Sequence, residues 1–163
     1  MSYFSHFPLV NYGGVLQVNL TRRVAISDVF KTSPEYFYEY SVKEGDTPES
    51  LADQFYDDAE LAWIVLDMNG IINVFEEWPK SQYELDEYVK DKYDDPQGIH
   101  HYVSLVSGMQ VWPGVHPSYD MMPVTNYEYE TQLNDDKRVI KLLLPDYVMT
   151  VVGRHRELMT KGL

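Results

Sequence analysis

The stretch Tyr40–Tyr56, with the sequence YSVKEGDTPESLADQFY, carries the clearest local structural signals in the chain. It begins inside a segment that starts at Tyr36 and alternates aromatic or β-branched residues with polar ones, which is typical of a β-strand. Gly45 can adopt the positive φ of a turn, Thr47 can cap a helix, and Pro48 suits the first helical position. The stretch therefore predicts a strand, a tight turn and a helix in direct succession.

A second short helix is predicted immediately after the first. The acidic pair Asp57–Asp58 interrupts the first helix and can cap the second, whose apolar stripe lies within Leu61–Leu66. Asn69–Gly70 then offers a left-handed stop. We expect the strand and the two helices to share one small core.

The residues before this stretch predict an extended arm. Residues 1–34 carry Pro8, the pair Gly13–Gly14 and alternating apolar residues, which favours short strands or a hairpin over a helix. The basic pair Arg22–Arg23 follows; it can serve as a local salt-bridge partner or as an interface contact. We place an N-terminal arm at residues 1–35.

The residues after it predict one more helix and then a boundary. Ser81 and Glu84 have capping-box spacing and begin an amphipathic helix that ends near Tyr93. The run DDPQG at residues 94–98 is the clearest boundary in the chain. We therefore assign residues 36–93 to a module with its following helix.

Residues 94–163 are predicted to form an extension of strands and a helix. Ile99–Val106 has the alternation of a strand, and prolines between residues 113 and 123 mark a loop. Arg138–Leu144 is a second strand, and Asp146 can cap a last helix. We expect removal of residues 124–163 to leave the central module folded.

Composition restricts the classes to which the chain can belong. With 163 residues and 44% hydrophobic residues, the chain can bury a core without disulfides or structural metal ions, and it has no cysteine. The net charge of -13 disfavours nucleic acid and anionic membranes as partners. No apolar run is long enough to span a membrane, and no signal peptide is evident. We expect a soluble, unprocessed protein.

The acidic residues are concentrated in the middle of the chain. Residues 35–95 hold 18 acidic and 4 basic side chains, whereas the remainder holds 8 acidic and 9 basic ones. This pattern is consistent with a solvated acidic face or with a docking surface for a basic partner.

Tyr40–Tyr56 closely resembles the opening of a LysM domain, and Leu61–Ile72 resembles its second helix and closing Asn-x-Ile. The resemblance implies an α+β fold, namely a small LysM-like βααβ module with an N-terminal extended arm and a C-terminal strand-plus-helix extension. It also implies a shallow groove for N-acetylglucosamine-containing glycans, formed by Gly45, Asp46, Thr47, Pro48, Asn69, Gly70, Ile71 and Ile72. The sequence departs from the LysM pattern at Glu76–Pro79, which stands where a short closing strand is usual.

A second resemblance spans most of the chain. Five segments of the chain together resemble the baseplate wedge protein family of T-even-like contractile-tailed phages. They are Thr21–Arg23, Glu44–Glu49, Leu61–Leu66, Trp78–Pro79 and Tyr129–Val148. The resemblance implies a structural protein of the virion tail baseplate, assembled in the host cytoplasm, that joins neighbouring wedges during baseplate assembly. Its partners would be other baseplate wedge proteins, in multiple copies around the tail hub.

Catalytic patterns are weak in this sequence. No nucleophile elbow, phosphate loop or dinucleotide fingerprint is present in the sequence. A third hypothesis is a cell-wall hydrolase, which would use a glycosidase-type carboxylate pair such as Glu76 or Glu77 with Asp57 or Asp58. We predict no enzyme, no catalytic residue, no metal and no cofactor.

Aromatic and basic residues supply the candidate interface contacts. Large amphipathic rings are enriched in interface cores, and those near turns and proline-rich loops are expected to be exposed. A basic cluster could dock on an acidic neighbour, or it could pair within the chain with Asp135 and Asp136. The candidates are Trp78, Trp112, Tyr127, Tyr129, Lys137, Arg138 and Lys141. The alternative function is a LysM-type carbohydrate-binding module for cell-wall glycans, which predicts glycan affinity that is lost on changing Asp46 or Asn69.

Overall fold

The computed structural model describes residues 7–112 and 120–160. The fold is mixed α+β. The strands are β1 (Leu9–Tyr12), β2 (Val15–Val18), β3 (Phe37–Ser41), β4 (Ile99–Ser104), β5 (Gln110–Val111), β6 (Met121–Thr125) and β7 (Val139–Leu143). The helices are α1 (Asp28–Thr32), α2 (Pro48–Tyr56), α3 (Ala62–Met68), α4 (Val74–Glu77), α5 (Gln82–Lys92), α6 (Asn126–Asp135) and α7 (Pro145–Thr160), with a 3₁₀ turn at Ala59–Leu61.

The chain divides into two compact units that do not follow the predicted boundaries after residues 35 and 93. The first unit takes in Met1–Trp78 and Val139–Leu163, and the second is Pro79–Arg138. The reason is strand pairing: β7 leaves the predicted extension and pairs with β3. The predicted arm also ends early, since Ile26 is already buried in the core of the first unit.

The sheet of the first unit joins two segments that are far apart in sequence. β3 and β7 are antiparallel, with Phe37 opposite Leu143 and Ser41 opposite Val139. Both strands of the LysM-like module were expected to lie within residues 36–93. That expectation is wrong for the second strand, because α3 is followed by α4 and the partner of β3 is β7.

An aliphatic core holds the first unit together. Leu51 of α2, Ile64 of α3, and Leu142 and Leu143 of β7 are fully buried. The apolar residues of α7 recur at helical spacing and line the same core through Val148, Val151 and Val152. The expectation that residues 124–163 are dispensable for this module is therefore wrong, because their removal deletes one of its two strands and part of its core.

The predicted turn, the cap of α2 and the glycine stop after α3 are confirmed, whereas the cap predicted for the second helix belongs to the 3₁₀ turn that precedes α3. Gly45 has φ +85° in the turn before α2. Thr47 caps α2 by accepting a hydrogen bond from the Ser50 amide at 3.1 Å, and the Ser50 hydroxyl accepts one from the Thr47 amide at 2.9 Å. Asp58 caps the 3₁₀ turn, and Gly70 adopts φ +68° after α3.

The N-terminal hairpin is also confirmed. β1 and β2 pair with Tyr12 opposite Val15 across a two-residue loop. Gly13 and Gly14 have φ +60° and +85°, which a tight hairpin turn requires at both positions. We call Leu9–Val18 the hairpin.

The second unit packs α5 and α6 with a three-stranded antiparallel sheet of order β5-β4-β6. The strand at β4 and the helix begun by Ser81 agree with the sequence prediction. Pro123 was predicted to lie in a loop, but it lies in β6 opposite Tyr102. α6 was not predicted; it begins with a capping box between Thr125 and Glu128.

Candidate interface surfaces

Asp46 stabilises the turn that the LysM resemblance assigns to a glycan groove. Its Oδ2 accepts hydrogen bonds from the Lys43 amide and the Tyr40 hydroxyl, both at 2.8 Å. Burial, reinforced by this bond to the Asp46 carboxylate, raises the pKa of Tyr40 to about 12. The Asp46 side chain is thus part of the turn's own hydrogen bonding.

Asn69 fastens the end of α3 to β7. Its Oδ1 accepts a hydrogen bond from the Lys141 amide at 2.7 Å, and its Nδ2 donates to the carbonyls of Val65 and Lys141, each at 2.8 Å. The side chain therefore pairs with both backbone groups of one strand residue. We call this arrangement the Asn69 clamp.

Trp78 is an interior residue, so the expectation that it is exposed is wrong. Its side chain belongs to the core, it is 7% exposed, and its Nε1 donates to the Asp46 carbonyl at 3.0 Å. One residue earlier, Glu77 Oε2 accepts from the Ile72 amide at 2.6 Å. The segment of residues 72–78 is therefore hydrogen-bonded at one end to the loop after α3 and at the other end to the turn before α2. It contacts both sides of the predicted groove.

The remaining groove residues differ in exposure. Gly45, Thr47, Gly70 and Ile72 are exposed, Ile71 is half-buried and Pro48 is buried. Thr47 and Pro48 serve as the N-cap and first residue of α2.

In the second unit, Trp112 and Tyr129 meet at one histidine. The Tyr129 ring stacks on His100 with centroids 3.9 Å apart and an interplanar angle of 11°, and the Trp112 ring lies 5.7 Å from the same imidazole. Trp112 is exposed and Tyr129 is half-buried. The pair forms an aromatic patch, and Trp112 is its accessible member.

Tyr127 is held by α5. Its hydroxyl donates to Asp86 Oδ1 at 2.8 Å and accepts from Gln82 Nε2 at 2.6 Å. The bond to Asp86 raises the pKa of Tyr127, and the same bond, with the one from Gln82, lowers the pKa of Asp86. These contacts lie within the second unit, so this tyrosine packs α6 against α5.

The predicted basic cluster is divided between the units. Lys137 and Arg138 end the second unit, whereas Lys141 belongs to the first. Arg138 Nε contacts Asp135 Oδ1 at 2.8 Å, in line with the alternative of intrachain pairing. Lys141 Nζ donates to the Lys31 carbonyl at 2.8 Å and lies 4.7 Å from the centre of the Phe37 ring.

The hairpin is exposed on both of its faces, which was not predicted from the sequence. Two residues that stand opposite each other on the paired strands point to the same face of the hairpin. One face therefore carries Leu9, Asn11, Leu16 and Val18, and the other carries Val10, Tyr12, Val15 and Gln17. Every one of these residues is exposed. The absence of charge from LVNYGGVLQV was the signal that could have drawn attention to this segment.

A second surface in the first unit is an open cleft of about 570 Å³. Apolar side chains, among them Leu20, Trp63 and Ile72, form much of its lining, and Arg22 and Arg23 also lie along it. We call it the Arg cleft. The arginine pair was a candidate interface contact from the sequence, but the cleft was not predicted.

The sequence matches the family described as base plate wedge protein 53 over residues 2–115, well over half of the chain. The chain belongs to this family. The matched part includes the hairpin and all the residues that line the Arg cleft. It ends before α6, β7 and α7, so the similarity seen at Tyr129–Val148 lies outside it. No curated protein matches the chain significantly.

Membership in the base plate wedge protein 53 family makes the chain a structural component of a phage tail baseplate, with other baseplate proteins as its neighbours. Within residues 7–112 and 120–160, no helix is long and apolar enough to cross a membrane. In that same part of the chain, no group of three or more histidine and acidic side chains is placed to hold a metal ion.

Proposed function

We propose that this baseplate wedge protein joins neighbouring wedge subunits during baseplate assembly, and that the hairpin is the part that inserts between them. The observation that carries this proposal is the exposure of apolar residues on both faces of the hairpin. An antiparallel sheet that needs only its own chain normally covers one of its faces. The hairpin therefore has the composition of a surface that another protein covers.

The physical instability of a lone hairpin supports the same conclusion. A two-stranded hairpin is marginally stable in water, and it gains stability when further strands or a packing surface are added. Each strand also has an outer edge whose backbone groups can pair with a strand of a partner. Insertion between subunits would bury apolar area without desolvating any charge, since Leu9–Val18 has none.

We further propose that β3, α2, α3 and β7 form a LysM-like βααβ module with a structural task. The second unit is then an insertion between the second helix and the last strand. The internal bonds of Asp46, Asn69 and Trp78 favour this task over glycan recognition, because the polar groups that a sugar would use already have protein partners. That the chain has no catalytic activity, occurs in several copies around the hub and assembles in the host cytoplasm stays a prediction.

The test mixes the purified protein with the other wedge subunits of the same phage and follows complex size by analytical ultracentrifugation. We expect wild-type chain to enter larger assemblies and Leu16→Asp to fail. Met149→Asp is the matched control, because Leu16 is 68% and Met149 66% exposed, and Met149 lies on α7. Circular dichroism checks that both variants keep the fold.

Normal assembly of Leu16→Asp would overturn the role of the hairpin. Absence of wild-type assembly would overturn wedge joining itself. N-acetylglucosamine oligomers titrated in parallel separate the glycan alternative, since tight binding without assembly would favour a carbohydrate-binding module.

A further inference from the structure

We propose that the Arg cleft binds a segment of another baseplate subunit that combines apolar with acidic side chains. This inference rests on the proposed function, because the partner is a subunit that the chain joins. It adds a second contact surface and the chemistry of the segment that occupies it.

The shape and lining of the cleft suit apolar side chains. Its volume of about 570 Å³ lies within the range of pockets that hold small ligands or several side chains. Ile72, on its lining, is 80% exposed, and Leu20 is also exposed. Exposed apolar residues that border a concave surface mark interaction sites, because burying them on association removes apolar area from water.

The charge of the cleft selects the partner. Residues 7–27 contain Arg22 and Arg23 and no acidic residue, although the whole chain has a net charge of -13. Arg22 Nη2 donates to the Leu158 carbonyl at 2.7 Å, which holds this guanidinium against the last helix, and Arg23 is exposed.

The acidic residue of the cleft is paired with a lysine. Asp67 lies along the lining, but its carboxylate accepts hydrogen bonds from Lys31 Nζ at 3.0 Å and from the Ile26 amide. Its charge is therefore balanced by Lys31. Guanidinium groups bind carboxylates through directed hydrogen bonds, so the fitting segment carries Asp or Glu beside its apolar residues.

The position of the cleft in the chain fits the same partner. Leu20 follows the end of the hairpin by two residues. A subunit that covers the hairpin thus meets a segment that leads directly to the cleft lining.

The first test is site-specific crosslinking. Because the chain has no cysteine, Ile72→Cys gives one attachment point for a benzophenone maleimide. The labelled protein is assembled with the other wedge subunits, irradiated and digested for mass spectrometry. We expect crosslinks to a peptide of a different subunit that has Asp or Glu within a few residues of apolar side chains. Met149→Cys is the control, and we expect no crosslink to that peptide.

Three results would overturn the proposal while wild-type assembly still occurs. These are crosslinks from position 72 to a second copy of this chain, crosslinks to a segment without acidic residues, and no crosslink at all. If the wild-type protein does not assemble, the proposed function fails instead, so the two failures are distinguishable.

The second test reverses one charge. Arg23→Glu should weaken incorporation into the wedge complex at least tenfold, and the wild-type affinity should fall as salt rises. Arg156→Glu reverses an exposed arginine on α7 and should change incorporation by less than threefold. Equal incorporation of wild type and Arg23→Glu would contradict the charge complementarity.

Discussion

The two units of this protein are stabilised by different kinds of interior. The first buries mainly aliphatic side chains, with Leu51, Ile64 and Leu142 fully excluded from solvent, although His155 is also buried there. The second has buried Leu85 and Val89, but its buried residues also include His101, Glu130 and Asn134. The stabilisation gained by burying apolar area does not depend on direction, whereas buried polar groups depend on specific hydrogen-bond partners. Substitutions in the aliphatic core of the first unit should therefore act through cavities, and substitutions of the buried polar residues of the second unit should act through lost hydrogen bonds.

The polar interior of the second unit is a set of paired groups. Glu130 Oε1 accepts hydrogen bonds from Lys92 Nζ at 2.8 Å and from the Tyr93 hydroxyl at 2.7 Å. Asn134 pairs with both backbone groups of Lys80, through bonds of 2.7 and 3.0 Å. This is the same arrangement as the Asn69 clamp, so each unit uses one asparagine to hold a distant segment of its own chain.

The largest effect is expected in the aliphatic core. Leu142→Ala should destabilise the first unit by roughly 2–5 kcal/mol, since it removes a fully buried side chain and leaves a cavity. Amide hydrogen exchange resolved by peptide measures this in the whole chain. Leu133→Ala, at an exposed position on α6, is the control and should change the exchange little.

The asparagine clamps come next and test the comparison in both units. Asn69→Ala should destabilise the first unit by about 1–3 kcal/mol, because the amide and carbonyl of Lys141 lose their partner. Asn134→Ala should have a similar effect on the second unit through Lys80. Hydrogen exchange should locate each loss in its own unit. A loss from Asn69→Ala alone would show that the second unit does not depend on its clamp.

A smaller effect is expected at Glu130. Glu130→Ala leaves Lys92 and Tyr93 without this acceptor, but the Lys92 side chain is 41% exposed and can be hydrated, so the expected loss is about 1–2 kcal/mol. The pKa of Lys92 is raised chiefly by its bond to Glu130. The contribution of the charged Lys92 to the stability of the second unit is thus complete below the ordinary lysine pKa and is lost at strongly alkaline pH. Glu130→Ala should flatten the alkaline decline measured by denaturant titration.

The smallest effect is a pH dependence of the second unit. Burial, with a contribution from the neighbouring His100, lowers the pKa of His101 below its ordinary 6.5. The contribution of neutral His101 to the free energy of unfolding is complete above pH 6.5. It is lost as pH falls through the lowered pKa, because the histidine of the unfolded chain takes up the proton first. Protection factors of amides in the second unit, corrected for the intrinsic pH dependence of exchange, should therefore fall between pH 7 and pH 5, and His101→Gln should reduce that fall. An unchanged profile in the variant would contradict the assignment.

Local signals in the sequence predicted much of the first unit. Gly45, Thr47 and Gly70 were assigned correctly because a positive φ or an N-cap is determined by the residue itself and its close neighbours. The pairing of β3 with β7 could not be read in this way. Strand periodicity shows that a strand exists, but it does not identify a partner on the other side of an inserted unit.

The site residues were harder to predict than the fold. Trp78 lies next to Pro79, a context that indicates a loop, yet its indole is buried against the turn at Asp46. Asn69 was assigned to a groove by resemblance, and its side chain is committed to Lys141. The exposure of a side chain depends on what the rest of the chain packs against, and local sequence does not contain that information. The hairpin was predicted as an element, but its solvent-facing apolar character required the structure.

Amide hydrogen exchange across Leu9–Val18, measured in the isolated protein and in the assembled wedge, tests whether the hairpin joins wedge subunits. We predict fast exchange in the isolated chain, because both faces of the hairpin are exposed, and at least tenfold slower exchange after assembly. Equal exchange of these amides in the two states, in wedges shown to contain the chain, would contradict the claim that the hairpin joins wedge subunits.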